Sequence, residues 1–167
     1  MSRQTFDFGI DLGTTNSAIA LLEGVRARIL KNQADNDITP SAVHYDKQGG
    51  IAVGQLAKNK MGATGKENTQ IEFKRMMGTK NTFRFRDAAL EKLPEELSAE
   101  VLRALRQDAE RITGELPKAA VITVPAAFEA HQCSATMKAA ELAGFTQAAL
   151  LQEPVAAALA YGFQVND

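Results

Sequence analysis

The sequence predicts an α/β fold built on a mixed sheet covered by helices, and three observations carry that expectation. Phe6, Phe8 and Ile10 alternate with Asp7 and Gly9, the period of a strand, and a polar turn over 12–16 returns the chain into a second apolar stretch at 17–22. Between 98 and 113, Leu102, Leu105, Ala109 and Ile112 recur at helical steps. From 119 onward the order becomes strand, helix, strand, helix, which implies right-handed crossovers and parallel pairing. Antiparallel strands first and crossover units last require a mixed sheet.

The remaining elements follow in order. Val25 to Leu30 predicts a third strand after the turn at Glu23-Gly24. Residues 32–41, rich in Asn, Asp, Thr and Pro, predict a loop, and Ala42–Tyr45 with Ile51–Val53 flank a turn at 46–50 as a hairpin. A short helix is expected over 55–60, then loops and helical turns over 62–81. Ser98 is the expected N-cap of the long helix, which Gly114 and Pro117 end. Ala119–Val124 predicts a buried strand, 129–143 a helix with a small-residue face, and Ala148–Leu151 another strand. Pro154 opens a final helix, near a position where a missing amide costs little, and Ala156, Ala157, Ala158 and Ala160 give it a close-packing face. Residues 54–114 are the expected lid-like insertion.

With 167 residues, 45% of them hydrophobic, the chain can bury a core without disulfides or a structural metal. Nineteen basic and 20 acidic residues give a formal net charge of -1, which argues against charge-driven binding to nucleic acid or an anionic membrane. A local site for a small polyanion remains allowed. The single cysteine, Cys133, has no internal disulfide partner, and two histidines add little toward a soft-metal site. The amino-terminal stretch has neither the continuous apolar region of a signal peptide nor the length of a membrane span. A cytoplasmic location is expected. The abrupt stop at Val165-Asn166-Asp167 fits an expressed fragment as well as a natural terminus.

Chemistry concentrates in three places. Gly9 to Ser17 sets a carboxylate, Asp11, at a strand end, followed by Gly13, Thr14, Thr15 and Asn16. Gly13 lets backbone approach an anion, amides and hydroxyls can donate to phosphate oxygens, and Asp11 suits the water around a cation carried with the phosphates. No lysine follows as a Walker A loop requires, and an ordinary polar hairpin fits the same residues. Lys74 lies between Phe73 and Met76-Met77; apolar neighbours strengthen a cation near a phosphate, although most lysines are solvated. Glu153 stands where a strand gives way to a helix, a position that faces a ligand cleft at the end of a parallel sheet or that only favours the helix dipole. Pro125 and Pro154 suit a hinge or plain punctuation. Cys133 and His131 are two residues apart, which on a helix turns them away from each other.

Taken together, Gly9 to Ser17, Thr39-Pro40-Ser41, Phe73-Lys74-Arg75, Ala120 to Phe128 and Glu153 through Gly162 resemble the successive signatures of the Hsp70 (DnaK) chaperone ATPase domain. The resemblance covers essentially the whole chain and only the first lobe of that domain. It implies an actin-like (ribonuclease H-like) α/β core from 1–31 and 115–167, with a smaller subdomain inserted at 32–114 and the second lobe and peptide-binding domain absent. It also implies ATP or ADP with Mg2+ as ligands. Asp11 would hold hydrated magnesium, Gly13, Thr14, Thr15 and Asn16 would form the first phosphate hairpin, Lys74 would be the catalytic cation, and Glu153 the cleft carboxylate. Pro125 would be the switch proline and Pro154 would lie beside the cleft. Unfolded client proteins, J-domain-type co-chaperones and nucleotide-exchange co-chaperones are the implied partners, acting through the parent protein.

The sequence departs from the family pattern at three points. Cys133 stands where the family has an arginine that relays the state of the switch proline. Asn36-Asp37 replaces Asn-Arg, and the stretch between Gly78 and Ser98 is short, as in a divergent bacterial branch. A non-catalytic actin-like interaction module is therefore the alternative expectation, and a sugar-kinase-like enzyme on the same fold the third.

Overall fold

The structure is a computed structural model describing residues 6–64, 66–153 and 155. The chain forms β1 (Phe8–Leu12), β2 (Asn16–Glu23), β3 (Arg26–Ile29), β4 (Thr39–Pro40), β5 (Ala42–Tyr45), β6 (Ile51–Val53), α1 (Gln55–Thr64) and β7 (Thr69–Ile71). There follow β8 (Phe83–Phe85), β9 (Leu90–Lys92), α2 (Pro94–Thr113), β10 (Ala119–Val124), α3 (Ala130–Leu142) and β11 (Gln147–Gln152). Two 3-10 turns, Lys66–Asn68 and Phe73–Met76, flank β7.

The main sheet runs β11-β10-β1-β2-β3, with β4 added to β2. β1 and β2 pair antiparallel, whereas β10 pairs parallel to both β1 and β11. The sheet is mixed because its first strands are joined by tight turns and its last two by a helical crossover through α3. β6-β5-β7 and the β8-β9 hairpin form two smaller sheets.

Alternation decides the faces. Phe8, Ile10 and Leu12 are buried to 2% exposure or less, as are Ser17, Ile19 and Leu21 on β2, while Gly9 and Asp11 point to the opposite side. The buried face meets Leu97, Val101, Leu102, Leu105 and Ala109 of α2 and Ala139 and Ala140 of α3 in one continuous cluster, which extends to Val43, Tyr45, Phe73 and Phe85. The alanines of α3 let it lie close against α2.

The long helix begins at Pro94, not Ser98. Its start combines Pro94 in the first turn with a 2.7 Å bond from the Leu93 amide to Glu96 Oε2. Ser98 instead sits inside the helix, wholly buried, and its Oγ finds no hydrogen-bond partner among the described residues. Within 62–81, expected as loops and turns, Thr69–Ile71 is a strand, because β5 offers it a partner edge. The β8-β9 hairpin is held by Phe85 edge-on to Tyr45, with ring centroids 4.7 Å apart. Thr39–Pro40, expected in a loop, pairs with Asn16 and Ser17 of β2. Pro154 and the alanines at 156, 157, 158 and 160 lie outside the described residues.

Candidate functional site

Parallel pairing brings the carboxyl ends of β1, β10 and β11 together, and the cleft expected at such ends is present. A cavity of about 530 Å³ is lined by Asp11, Gly13, Thr14, Lys74, Thr123, Pro125 and Glu153. Asp11 comes from the end of β1, Thr123 from the end of β10 with Pro125 just past it, and Glu153 directly follows β11.

The β1–β2 turn is braced from below. Ser41 donates from Oγ to the Gly13 carbonyl at 2.8 Å and meets Ser17 Oγ at 2.8 Å, while the Gly13 amide donates to Ser17 Oγ at 3.2 Å. A Cβ on Gly13 would stand 2.0 Å from the Asn16 carbonyl oxygen, so the turn closes only around glycine. Gly13 and Thr14 line the cavity; Thr15 and Asn16 belong to the same hairpin and do not.

Lys74 reaches this place from a distant part of the chain. It rides the Phe73–Met76 turn, entered through Glu72 at a φ of 56°, and is only 6% exposed. Its Nζ donates to the Leu12 carbonyl at 2.6 Å, stands 3.5 Å from Glu153 Oε1, and lies 5.5 Å from the Phe128 ring centroid. Burial pulls the Lys74 pKa below its ordinary value, opposed by the negative charges of Glu153 and Asp11. Glu153 itself is half exposed, so the pair opens toward the cleft. Around Asp11, Thr123 Oγ1 lies 3.3 Å from Oδ1.

Asp11, Lys74, Glu153, Gly13, Thr14 and Pro125 are thus brought together, and Cys133 is not. Cys133 is half-buried on α3 and lines a separate surface cavity with Met137, Phe145 and Ala148. Sequence reasoning passed over Thr123 and the ring contact of Phe128. The available signal for Thr123 was the period of two along its strand, which turns it to the face opposite the buried Ile122 and Val124.

Among the described residues no cluster of three or more His, Cys, Asp or Glu could hold a metal ion, and no helix is long and apolar enough to cross a membrane. Comparison with known proteins gives a match between residues 7–94 and 84–167 and the family model described as Hsp70 protein. A chaperone protein DnaK of Mycoplasmoides gallisepticum is 44% identical over 156 residues, covering 92% of this chain and 26% of that protein. The chain therefore spans about a quarter of the length of the curated relative it matches.

Proposed function

Since the chain belongs to the Hsp70 family and has its actin-like α/β fold, we propose that it supplies one phosphate-facing wall of an ATP-hydrolysing chaperone. The observation that carries this reading is the Lys74 ammonium, buried against the Leu12 carbonyl and Glu153 in a cavity shared with Asp11 and the Gly13-Thr14 turn. A buried cation beside two carboxylates and a row of short polar groups suits the charge of a nucleotide's phosphates.

In this reading the Gly13–Asn16 hairpin holds the phosphates. Lys74 stabilises charge on the transferred phosphoryl group, and Glu153 orients the attacking water, whose oxygen bonds the terminal phosphorus as the bond to the ADP oxygen breaks. The donor set fits a magnesium ion that keeps its waters, since Asp11 and Glu153 are two carboxylates rather than a full cage. Magnesium, when bound with the nucleotide, neutralises phosphate charge. Asp11 is the residue suited to orient its water. Pro125 closes a turn with Phe128 and would move with the cleft; Pro154 keeps the role beside the cleft that the family resemblance gives it.

Residues 1–31 with 115–167 would act as the core unit and 32–114 as the smaller one, joined by β4 and α2. Unfolded client proteins, J-domain-type and nucleotide-exchange co-chaperones would be the partners, in the cytoplasm. Cys133 puts the usual relay from the cleft in question. The test is ATP-driven release of a fluorescent unfolded peptide from the full-length protein; release at the same rate with and without ATP would contradict the chaperone reading and favour a non-catalytic actin-like module.

A further inference from the structure

Asp11 and Thr123 are direct neighbours across the parallel β1–β10 pair, their Cα atoms being register partners. Both therefore point to the same face, and both line the 530 Å³ cavity. Thr123 Oγ1 lies 3.3 Å from Asp11 Oδ1 and 3.4 Å from the Ile10 carbonyl oxygen. A hydroxyl has one proton to give, and a carboxylate attracts it more strongly than a neutral carbonyl does. Among the described residues, Thr123 supplies the one side-chain hydrogen bond to Asp11. Asp11 is itself exposed, so packing does not lock its side chain. Thr123 is β-branched and stiff about χ1, with its own backbone fixed in the interior of the sheet.

We propose that Thr123 is a positioning residue: its hydroxyl donates to Asp11 and holds that carboxylate in the orientation facing the cavity, and thereby sets how well the site accepts a hydrated magnesium-nucleotide. The second half rests on the ATP-binding reading above; the first half does not. The geometry also separates the hydroxyl from the methyl. Valine keeps the shape and loses the donor, whereas serine keeps the donor and loses the methyl.

Two measurements test this. In the isotope-labelled 167-residue chain, three-bond couplings report the Asp11 χ1 rotamer without any nucleotide. One dominant rotamer is expected in the native chain and in Thr123→Ser, and averaged couplings in Thr123→Val. In the full-length protein, the Mg2+ concentration giving half-maximal ATP hydrolysis is expected to rise about tenfold in Thr123→Val, within the range seen when a supporting hydrogen bond near a metal is removed. Thr123→Ser should stay within about twofold of native, and the KM for ATP at saturating Mg2+ should hold in both variants. An unchanged Asp11 rotamer in Thr123→Val, or a serine variant as impaired as the valine one, overturns the proposal. Should the protein prove not to hydrolyse ATP, the couplings still decide the orientation claim.

Discussion

The Lys74 ammonium is tied to the main chain at the β1–β2 turn: Nζ donates to the Leu12 carbonyl at 2.6 Å, across 62 residues of sequence. The bond fixes the cation at the mouth of the β1–β2 turn, with Glu153 Oε1 3.5 Å away. A buried ammonium held by one carbonyl and one half-exposed carboxylate contributes little to folding, since desolvation offsets the attraction. Its lowered pKa has the same sense: the folded state releases the proton more readily, so stability from this group rises as pH climbs toward the unfolded value of 10.5. Lys74→Met is therefore expected to change unfolding stability at neutral pH by less than about 1.5 kcal/mol in urea titrations. A large loss would mean that Lys74 is chiefly a structural group.

Gly13→Ala places a methyl 2.0 Å from the Asn16 carbonyl oxygen, a backbone atom that cannot swing aside as a flexible side chain would. The hairpin must open, at an expected cost of about 1–3 kcal/mol. Gly24→Ala is the control: its φ is 64°, yet no atom lies within 4 Å of the added carbon. It should lose only the conformational term, about 1 kcal/mol. Equal costs in chemical denaturation would remove the argument that the β1–β2 turn is closed by contact.

Gly78, at a φ of 79°, packs its backbone on the first turn of α3, where a Cβ would stand 2.6 Å from His131 Cδ2 and 2.9 Å from the His131 carbonyl oxygen. Gly78→Ala is expected to push the chain at Gly78 off the first turn of α3 and destabilise the protein by about 1–3 kcal/mol. Because the His131 carbonyl carbon and oxygen, both main chain, are among the close contacts, adding His131→Ala should recover less than half of that loss. Full recovery would show that only the imidazole matters.

His44 gives the chain a pH dependence near neutrality. It is buried on β5, its Nδ1 lies 2.9 Å from Thr69 Oγ1, and burial first, then Lys60, lowers its pKa against the raising effects of Asp46 and Asp87. The unfolded chain therefore takes up this proton more readily than the folded one. Stability is complete above about 6.5 and falls as pH drops below it, by at most about 1.4 kcal/mol per pH unit from this group. Urea midpoints at pH 7.5 and 5.5 should differ more in the native chain than in His44→Gln. An identical difference in the two would locate the effect elsewhere.

The cavity wall presented by the 167 residues carries charges and short polar groups and no aromatic or large aliphatic side chain among its described lining residues. Under the proposed reading, such a lining suits phosphates and offers little to a purine ring. Calorimetry of the chain alone with Mg-ATP is expected to give a dissociation constant weaker than about 0.1 mM. Submicromolar binding would contradict that.

The first strand was readable because Phe6, Phe8 and Ile10 alternate with Asp7 and Gly9, although Leu12, read as the start of the turn, closes β1. Asp11, Lys74 and Glu153 were each recognisable as candidates, but only the family resemblance put them in one cleft; local pattern did not, since Lys74 reaches Leu12 through a turn that no periodicity announces. The apolar bracket read around Lys74 is half true: Phe73 and Met77 are 1% exposed, whereas Met76 is 42% exposed and faces solvent. β4, β7, β8 and β9 have two or three residues each, too short for a period to emerge, and they exist because neighbouring edges and the Tyr45–Phe85 contact accept them. Ser98 was misread because a serine three residues before an apolar run has the form of a cap, while Pro94 and Glu96 one turn earlier perform that task.

Phosphate release from ATP by the full-length protein, native against Lys74→Ala, tests the central claim most directly. At least a 100-fold fall in kcat is expected, with the folded fraction unchanged by circular dichroism, as for loss of a group that stabilises developing charge in a shielded site. Equal rates in the two proteins would contradict the account.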